Sequence, residues 1–217
     1  MSISWGLDEF SGETALDGYF TQTGVVYFAG AGDSGSLLYP SASPNVVSVG
    51  GTSLVRNLLS WRGNLGDFEG EAVWSWGSAA GTGAGPSAYE PRPHYQDPIH
   101  NIVGNSRGAP DLAAVADPST GVWIYMSGWY LVGGTSVATP IWAGIVNAAG
   151  RFSASTAAEL THIYSRSFLS AETPPGFSDI SSGTCGMSAT GVFDIYLATR
   201  GWDFCSGVGS PLGYSGK

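Results

Sequence analysis

The chain has 217 residues, of which 43% are hydrophobic and 12% charged, and this composition predicts one globular domain and excludes a disordered chain. Its 8 Lys and Arg against 17 Asp and Glu give a net charge of −9. Because nucleic-acid binders carry clusters of basic residues, this charge argues against a nucleic-acid partner. The apolar stretch from Leu131 to Gly150 contains Thr, Ser, Pro and Asn, so we predict a buried helix there and no membrane partner.

The N-terminal part predicts a strand, a helix and a second strand. Residues 2–5 are a short apolar strand, residues 12–23 place apolar side chains on one helical face, and residues 25–29 are a β-branched and aromatic run. A strand, a helix and a strand within about thirty residues form a βαβ unit. Such a unit implies a parallel sheet with a right-handed crossover, and therefore an α/β fold.

The rest of the chain predicts more strands, two helices and long loops, without a domain boundary. Residues 46–49 predict a strand that ends at Gly50-Gly51, and residues 53–108 predict strands and long loops over the sheet. Two apolar segments around a turn, a long helix and a shorter helix follow at residues 111–116, 122–126, 136–152 and 157–164.

The segment from Gly30 to Gly35 matches the G-x-G-x-x-G pattern of dinucleotide sites. That pattern should open a helix, but Pro40 and Pro44 are incompatible with an ordinary helix here, so we predict no nucleotide site. Asp33 is the functional candidate, because it lies on a glycine-flanked turn after a parallel strand, where open α/β sheets bind ligands. The alternative is that Asp33 only closes an Asx turn.

The segment from Gly133 to Pro140 carries the strongest chemical signal. Ser136 stands at the predicted start of the long helix, where free backbone N–H groups and the helix dipole favour a developing anion. Pro140 is compatible with a first turn, whose amides lack intrahelical partners. The alternative is a Ser or Thr helix cap. The similar tetrapeptide from Gly50 to Ser53 lacks the proline, and we predict a strand and a turn there.

The two cysteines, Cys185 and Cys205, have no zinc-ligand spacing around them. They are either two buried thiols or one disulfide that closes a loop of about 21 residues and contributes roughly 3 kcal/mol of stability. Under oxidising conditions we expect the disulfide.

The pattern Gly-Thr-Ser-x-x-x-Pro, from Gly134 to Pro140, is shared by subtilisins and by sedolisins, the serine-carboxyl peptidases. Subtilisins also need a histidine in a His-Gly-Thr-type setting. The histidines of this chain lack such neighbours and predict surface or packing roles: His94, His100 and His162. Segments that resemble sedolisins occur in the family's order over nearly the whole chain: 2–6, 28–35, 44–54, 91–96, 107–121, 201–203 and 207–211. The chain thus resembles the sedolisin family, which implies a subtilisin-like parallel sheet flanked by helices.

The resemblance implies a serine-type endopeptidase that hydrolyses peptide bonds in peptide or protein substrates at acidic pH. Ser136 then corresponds to the nucleophile and Asp33 to the family's oxyanion-hole aspartate. A protonated carboxylic acid can donate a hydrogen bond to the tetrahedral oxyanion, whereas an ionised one repels it, so the chemistry suits acid. The resemblance also implies a secreted, extracellular protein.

The resemblance further implies a calcium ion in the loops of residues 176–211. Two carboxylates and backbone carbonyls supply hard oxygen ligands in the family's site. The matching residues are Asp179, Ile180, Thr199, Gly201 and Asp203. Thr199 stands where the family usually has glycine, but only its carbonyl is needed. The alternative is a set of turn and capping residues.

The chain departs from the family pattern in its catalytic base. Sedolisins activate the serine with a Glu-x-x-x-Asp pair upstream of the Ser-Ile-Ser-Trp-Gly strand, and this sequence starts at that strand. Glu13 and Asp17 repeat the spacing, but they follow the strand, so we predict that they lie on the solvent face of the next helix.

We therefore expect residues 1–217 to be the C-terminal portion of a sedolisin-type domain, truncated at its N-terminus, and to be weak or inactive as a peptidase alone. A fragment, a split protein or a degenerate member would each explain this start. The alternatives in function are a non-catalytic peptide-binding remnant and a weak esterase. An absent N-terminal segment, or self-association, is expected to cover an exposed edge of the parallel sheet.

Overall fold

The computed structural model describes residues 1–57, 67–77, 80–167, 176–186 and 195–214. The strands in these ranges are, in chain order, β1 (Ser2–Ile3), β2 (Leu7–Asp8), β3 (Phe28–Gly30), β4 (Ser34–Ser36), β5 (Leu38–Tyr39), β6 (Val47–Asn57), β7 (Asp67–Val73), β8 (Gly81–Pro91), β9 (Ser106–Ala109), β10 (Leu112–Val115), β11 (Val122–Tyr125), β12 (Trp129–Val132), β13 (Phe177–Ser178), β14 (Thr184–Cys185), β15 (Tyr196–Leu197) and β16 (Ser210–Pro211). The helices are the 3-10 helices Glu13–Phe20 and His94–Ile99 and the α-helices α1 (His100–Val103), α2 (Thr135–Ala149) and α3 (Thr156–Ser167).

A five-stranded sheet organises the fold. Four of its strands are parallel, in the order β1-β3-β6-β10, and β7 pairs antiparallel with β6. The predicted strand–helix–strand unit is confirmed, because β1 lies parallel to β3 and the 3-10 helix Glu13–Phe20 connects them. The α/β fold with a parallel sheet flanked by helices is therefore confirmed. Among the described strands β1 pairs only with β3, and self-association at this edge stays a prediction.

Helix α2 packs against β3, β6 and β10 of the sheet. Ala138, Trp142 and Val146 of α2 belong to one buried apolar cluster together with Phe28 and Leu112 of the sheet. The Trp142 indole N–H donates a hydrogen bond of 2.8 Å to the carbonyl of Ala113, so its polar atom is satisfied inside the core. This packing fixes the start of α2 relative to the carboxyl end of β3, where the candidate site lies.

The predicted end of the strand at Gly50-Gly51 is wrong, because β6 continues through both glycines to Asn57. A Cβ atom on Gly50 would lie 2.7 Å from Pro110, and one on Gly51 would lie 2.7 Å from Ala116. The glycines therefore serve close packing within a strand, not a turn.

The two predicted α-helices are confirmed with shifted ends. Helix α2 begins one residue earlier than predicted and ends at Ala149, where Gly150 in a left-handed conformation (φ 65°) closes it. A strand, β4, follows the G-x-G segment where a nucleotide site would need a helix. Residues 58–66 and 78–79 of the predicted strand-and-loop region lie outside the described residues. No helix in the described ranges is long and apolar enough to cross a membrane.

Candidate active site

Asp33 and the start of α2 are held together by two short hydrogen bonds. Asp33 Oδ1 accepts one from the Thr135 backbone N–H at 2.7 Å and one from the Thr135 hydroxyl at 2.8 Å. Ser136 is the next residue of the helix. The structure thus brings the two predicted catalytic residues to one place, and Thr135, which the sequence did not single out, is the link between them.

Glycines at two positions make this approach possible. Gly134 has φ +90°, and a Cβ atom there would lie 2.6 Å from Asp33 Oδ2. A Cβ atom on Gly30 would lie 2.7 Å from the Thr135 hydroxyl. Any side chain at either position would separate the end of β3 from the start of α2.

Ser136 and Asp33 open into a pocket of about 180 Å³. Its wall includes the segment Ser4-Trp5-Gly6, which follows β1, and its other lining residues are Gly30, Gly32, Asp33, Leu38, Thr135 and Ser136. Ser136 and Asp33 are both solvent-exposed, so a substrate can reach them.

Ser4 contacts the candidate nucleophile directly. The Ser4 hydroxyl donates a 2.9 Å hydrogen bond to the Ser136 carbonyl, and the Ser136 hydroxyl lies 3.4 Å from the Ser4 carbonyl, to which it donates. Pro140 is the sixth residue of α2, not a first-turn residue as predicted. Since proline has no N–H, it cannot donate to the carbonyl four residues earlier, which is that of Ser136. Ser4 therefore supplies the hydrogen bond that Pro140 cannot.

No histidine is among the described residues that line this pocket, and Asp33 is the one carboxylate among them. His94 and His100 are exposed and contact Asp97, while His162 is half-buried on α3. The predicted surface or packing roles are thus confirmed. A second carboxylate that could act as a base for Ser136 is not part of the described lining.

The predicted position of Glu13 on a solvent face is wrong, because Glu13 is fully buried. Its Oε2 accepts a hydrogen bond from the Phe10 N–H at 2.8 Å. Burial raises the pKa of Glu13 to about 7, and the charges of Glu9 and Asp17 act in the same direction. Asp17 is half-buried and accepts a hydrogen bond from the Tyr39 hydroxyl at 3.3 Å. Neither Glu13 nor Asp17 lines the pocket that holds Ser136.

The two aspartates of the predicted calcium site lie on neighbouring C-terminal loops. Asp203 is 4% exposed, and its carboxylate accepts hydrogen bonds from the N–H groups of Thr199, Cys205 and Ser206. Burial raises the pKa of Asp203 to about 6, although these N–H groups lower it. Asp179 Oδ2 accepts a 3.1 Å hydrogen bond from the Gly201 N–H.

The described side chains of these loops do not form a metal site by themselves. No group of three or more His, Cys, Asp or Glu side chains forms a metal cluster in the described ranges, so carbonyls would have to complete the ligand shell. No described Lys, Arg or His makes a salt bridge with Asp179 or Asp203, and the hydrogen bonds that the structure gives their carboxylates come from backbone N–H groups and the Ser206 hydroxyl. Residues 187–194 of the predicted calcium loops lie outside the described residues.

Cys185 and Cys205 form the expected disulfide, with their Cα atoms 5.4 Å apart. The bond links β14 to the turn that carries Asp203. It therefore cross-links the same C-terminal loops that hold the two aspartates.

Comparison with known proteins finds several peptidases. Kumamolisin from Bacillus sp. (strain MN-32) is 34% identical over 239 residues, which cover 98% of this chain and 41% of kumamolisin. Sedolisin from Pseudomonas sp. (strain 101) is 35% identical over 82% of this chain and 29% of its own length. Xanthomonalisin from Xanthomonas sp. (strain T-22) is 31% identical over 81% of this chain and 21% of its own. The chain thus spans less than half the length of these relatives, and no protein-family model matches it.

Solved structures show the same likeness. Pseudomonas sedolisin, a serine-carboxyl proteinase complexed with two molecules of pseudo-iodotyrostatin, aligns with a TM-score of 0.69 at 28% identity. The alignment covers 96% of this chain and 62% of that one. Sphericase aligns with a TM-score of 0.56 over 97% of this chain and 55% of its own, and at 20% identity this likeness concerns the fold alone.

Proposed function

The chain belongs to the sedolisin family of serine-carboxyl peptidases, and on that premise we propose that it hydrolyses peptide bonds at acidic pH with Ser136 as nucleophile. The observation that carries the proposal is the anchoring of Asp33 by Thr135 at 2.7 and 2.8 Å, directly beside Ser136 at the start of α2. The substrates are peptides or proteins whose extended backbone enters the pocket along Ser4-Trp5-Gly6.

Asp33 and the helix start have complementary parts in this reaction. When Ser136 Oγ attacks the peptide carbonyl carbon, the carbonyl oxygen becomes an anion. Asp33 Oδ1 is occupied by Thr135, which leaves Oδ2 to carry a proton and donate it in a hydrogen bond to that anion. The positive end of the α2 dipole acts in the same direction. Only a carboxyl oxygen that carries a proton can donate, which is why we propose acidic conditions for this reaction.

The proton of the Ser136 hydroxyl also needs an acceptor. Asp33 cannot serve as acid and base in the same step, and the described lining of the pocket offers no other carboxylate or histidine. Loss of general-base assistance lowers a rate by about 10²–10⁴-fold. This observation favours two further candidate functions for the chain alone: slow hydrolysis of activated esters, and peptide binding without cleavage.

We also propose that the C-terminal loops bind one Ca²⁺ ion through the carboxylates of Asp179 and Asp203 and the carbonyls of Ile180, Thr199 and Gly201. Neither carboxylate belongs to a salt bridge in the described part of the chain, and Asp203 is buried; both features support this proposal, since calcium binds oxygen ligands of this kind. When bound, the ion stabilises the loops and takes no part in the chemistry. An extracellular location fits the Cys185–Cys205 disulfide, which persists in oxidising compartments.

The test of the proposed function is hydrolysis of peptides and activated esters from acidic to neutral pH by the chain and by three variants. Ser136→Ala should abolish both activities, and Asp33→Ala should lower them about 10²–10³-fold, the effect of removing one oxyanion donor. Asp33→Asn keeps an oxygen for Thr135 and gains an amide donor that does not ionise. It should therefore lose less activity than Asp33→Ala does. Unchanged activity in Ser136→Ala would refute the proposal.

A further inference from the structure

The hairpin β11–β12 exposes an unusual amount of aromatic surface. Trp123, Tyr125 and Trp129 are 61%, 70% and 67% exposed. Trp123 pairs across the strands with Leu131 and Tyr125 with Trp129, so these four side chains lie on one side of the hairpin and form what we call the aromatic face. The rings of Tyr125 and Trp129 pack edge to face, with centroids 5.4 Å apart.

The base of the hairpin is tightly fixed to the rest of the molecule. A Cβ atom on Gly133, directly after β12, would lie 2.5 Å from both the Ala116 carbonyl oxygen and the Pro118 nitrogen. This close packing holds the end of β12 against residues 116–118, and the segment that carries Thr135 and Ser136 begins directly after Gly133. Trp129 is seven residues before Ser136, so their Cα atoms lie within about 25 Å of each other.

The area and the charge of the aromatic face indicate what kind of partner binds there. Its three rings expose on the order of 400 Å², about half of the roughly 800 Å² that each partner buries in a standard interface. An area of this size suits a peptide segment better than a second folded domain. Residues 121–134 contain no charged side chain, although the chain carries a net charge of −9, so the matching segment is itself uncharged and apolar.

The strands of the hairpin also have open outer edges. Among the described strands, β11 and β12 pair only with each other. An extended peptide can add to such an edge through its backbone, with alternate side chains meeting the exposed rings. We propose that the aromatic face binds an extended, uncharged stretch of the polypeptide substrate that carries aromatic or aliphatic side chains, away from the bond that is cut. That the bound peptide is a substrate rests on the proposed function.

The test separates binding from cleavage. In a Ser136→Ala background, fluorescence anisotropy measures the affinity of the chain for two labelled peptides of about ten residues. The first peptide consists of Ser and Thr with Phe at alternate positions. The second has Ser in place of each Phe. The Phe peptide should bind more tightly. The double change Tyr125→Thr with Trp129→Thr keeps the strand propensity of the hairpin and should weaken that binding at least about tenfold, which two lost ring contacts account for.

The matched control is Tyr19→Thr, which removes a ring that is 77% exposed on the 3-10 helix Glu13–Phe20 and should leave binding unchanged. Equal affinity for the two peptides, or an unchanged affinity in the double variant, would overturn the proposal. So would a concentration-dependent dimer in sedimentation equilibrium that the double variant abolishes, because the occupant would then be a second copy. Absence of Ser136-dependent hydrolysis would reject the proposed function but not the binding result.

Discussion

At the residue scale, the position of Ser136, the candidate nucleophile, depends on two other residues, Pro140 and Ser4. Pro140 removes the N–H that would bond the Ser136 carbonyl, and the Ser4 hydroxyl replaces it at 2.9 Å. Because Ser4 follows β1 and Ser136 is the second residue of α2, this bond ties the sheet edge to the helix start. Ser4 is therefore a positioning residue for Ser136.

We predict that Ser4→Ala slows the modification of Ser136 by a fluorophosphonate about three- to tenfold, as expected for one lost hydrogen bond of about 0.5–1.5 kcal/mol. Adding Pro140→Ala restores a helical N–H for the Ser136 carbonyl and should recover part of the rate. The control is Ser2→Ala, which alters an exposed serine of β1. Equal rates in the Ser4 and Ser2 variants would show that the contact is incidental.

A second residue-scale prediction concerns the buried ion pair Arg107–Asp111, whose atoms approach to 2.6 Å and are fully buried. Asp111 also accepts hydrogen bonds from the Ser48 N–H and the Tyr164 hydroxyl, so it joins β6, β9 and α3. Asp111→Ala leaves the Arg107 charge uncompensated and should lower the free energy of unfolding by about 3–5 kcal/mol in urea denaturation. The exposed pair Arg92–Asp97 is the matched control. Asp97→Ala should lower the free energy of unfolding by less than about 1 kcal/mol. Similar losses in the two variants would contradict the prediction.

At the element scale, the 3-10 helix Glu13–Phe20 shows what a local pattern cannot predict. Its sequence indicates a helix, and a helix forms, but Glu13 faces inward because Glu90 of β8 and Tyr39 of β5 pack near it. Burial raises the pKa of Glu90 to about 8, with Asp17, Glu13 and Glu9 acting in the same direction. Strands that are distant in sequence thus create an acidic cluster of Glu9, Glu13, Asp17 and Glu90, in which Glu13 and Glu90 are buried.

This cluster should make the protein more stable in acid than at neutral pH. The raised pKa values mean that the folded protein keeps protons on Glu13 and Glu90 that the unfolded chain releases above its ordinary pKa of 4.5. The stabilisation is complete below about pH 4.5 and is lost as the pH rises towards 7–8. We expect the melting temperature to fall over this interval, as measured by circular dichroism.

The change Glu13→Gln with Glu90→Gln replaces both carboxyl groups by neutral amides of the same shape. It should reduce this fall in melting temperature between pH 4.5 and 8. Asp8→Asn, at an exposed position of β2, is the control and should retain it. The same pH dependence in both variants would exclude the cluster as its cause.

At the scale of the whole molecule, the sequence predicts what depends on local pattern and on motif. Periodicity predicts the parallel strands β1 and β3 and the helix α2. The resemblance carried by Gly-Thr-Ser-x-x-x-Pro predicts that Asp33 and Ser136 lie at one site. The extension of β6 to Asn57 does not, because it depends on Pro110 and Ala116 packing against Gly50 and Gly51. The contact between Ser4 and Ser136 likewise could not be predicted from the sequence, although Ser4 lies in a segment that resembles the family.

The C-terminal loops combine a disulfide with the proposed calcium site, and both act against unfolding. The Cys185–Cys205 bond restricts the unfolded chain and contributes roughly 3 kcal/mol. A calcium ion that binds only the folded state adds about 2.7 kcal/mol when its concentration is about one hundred times its dissociation constant. Asp203 also accepts hydrogen bonds from the N–H groups of Cys205 and Ser206 and so orders the turn. We therefore expect unfolding of this turn and release of the ion to occur together.

We therefore predict that a chelator lowers the melting temperature by about 5–10 °C relative to saturating calcium, the shift that such a binding energy gives in a domain of this size. Asp203→Asn keeps an oxygen for Cys205 and Ser206 but removes the charge, so it should abolish the calcium response and calcium binding in isothermal titration calorimetry. Asp97→Asn, which neutralises an exposed carboxylate on another loop, should keep both. A chelator that leaves the melting temperature unchanged, or a full calcium response in Asp203→Asn, would show that these loops are held by the disulfide and the turn hydrogen bonds alone.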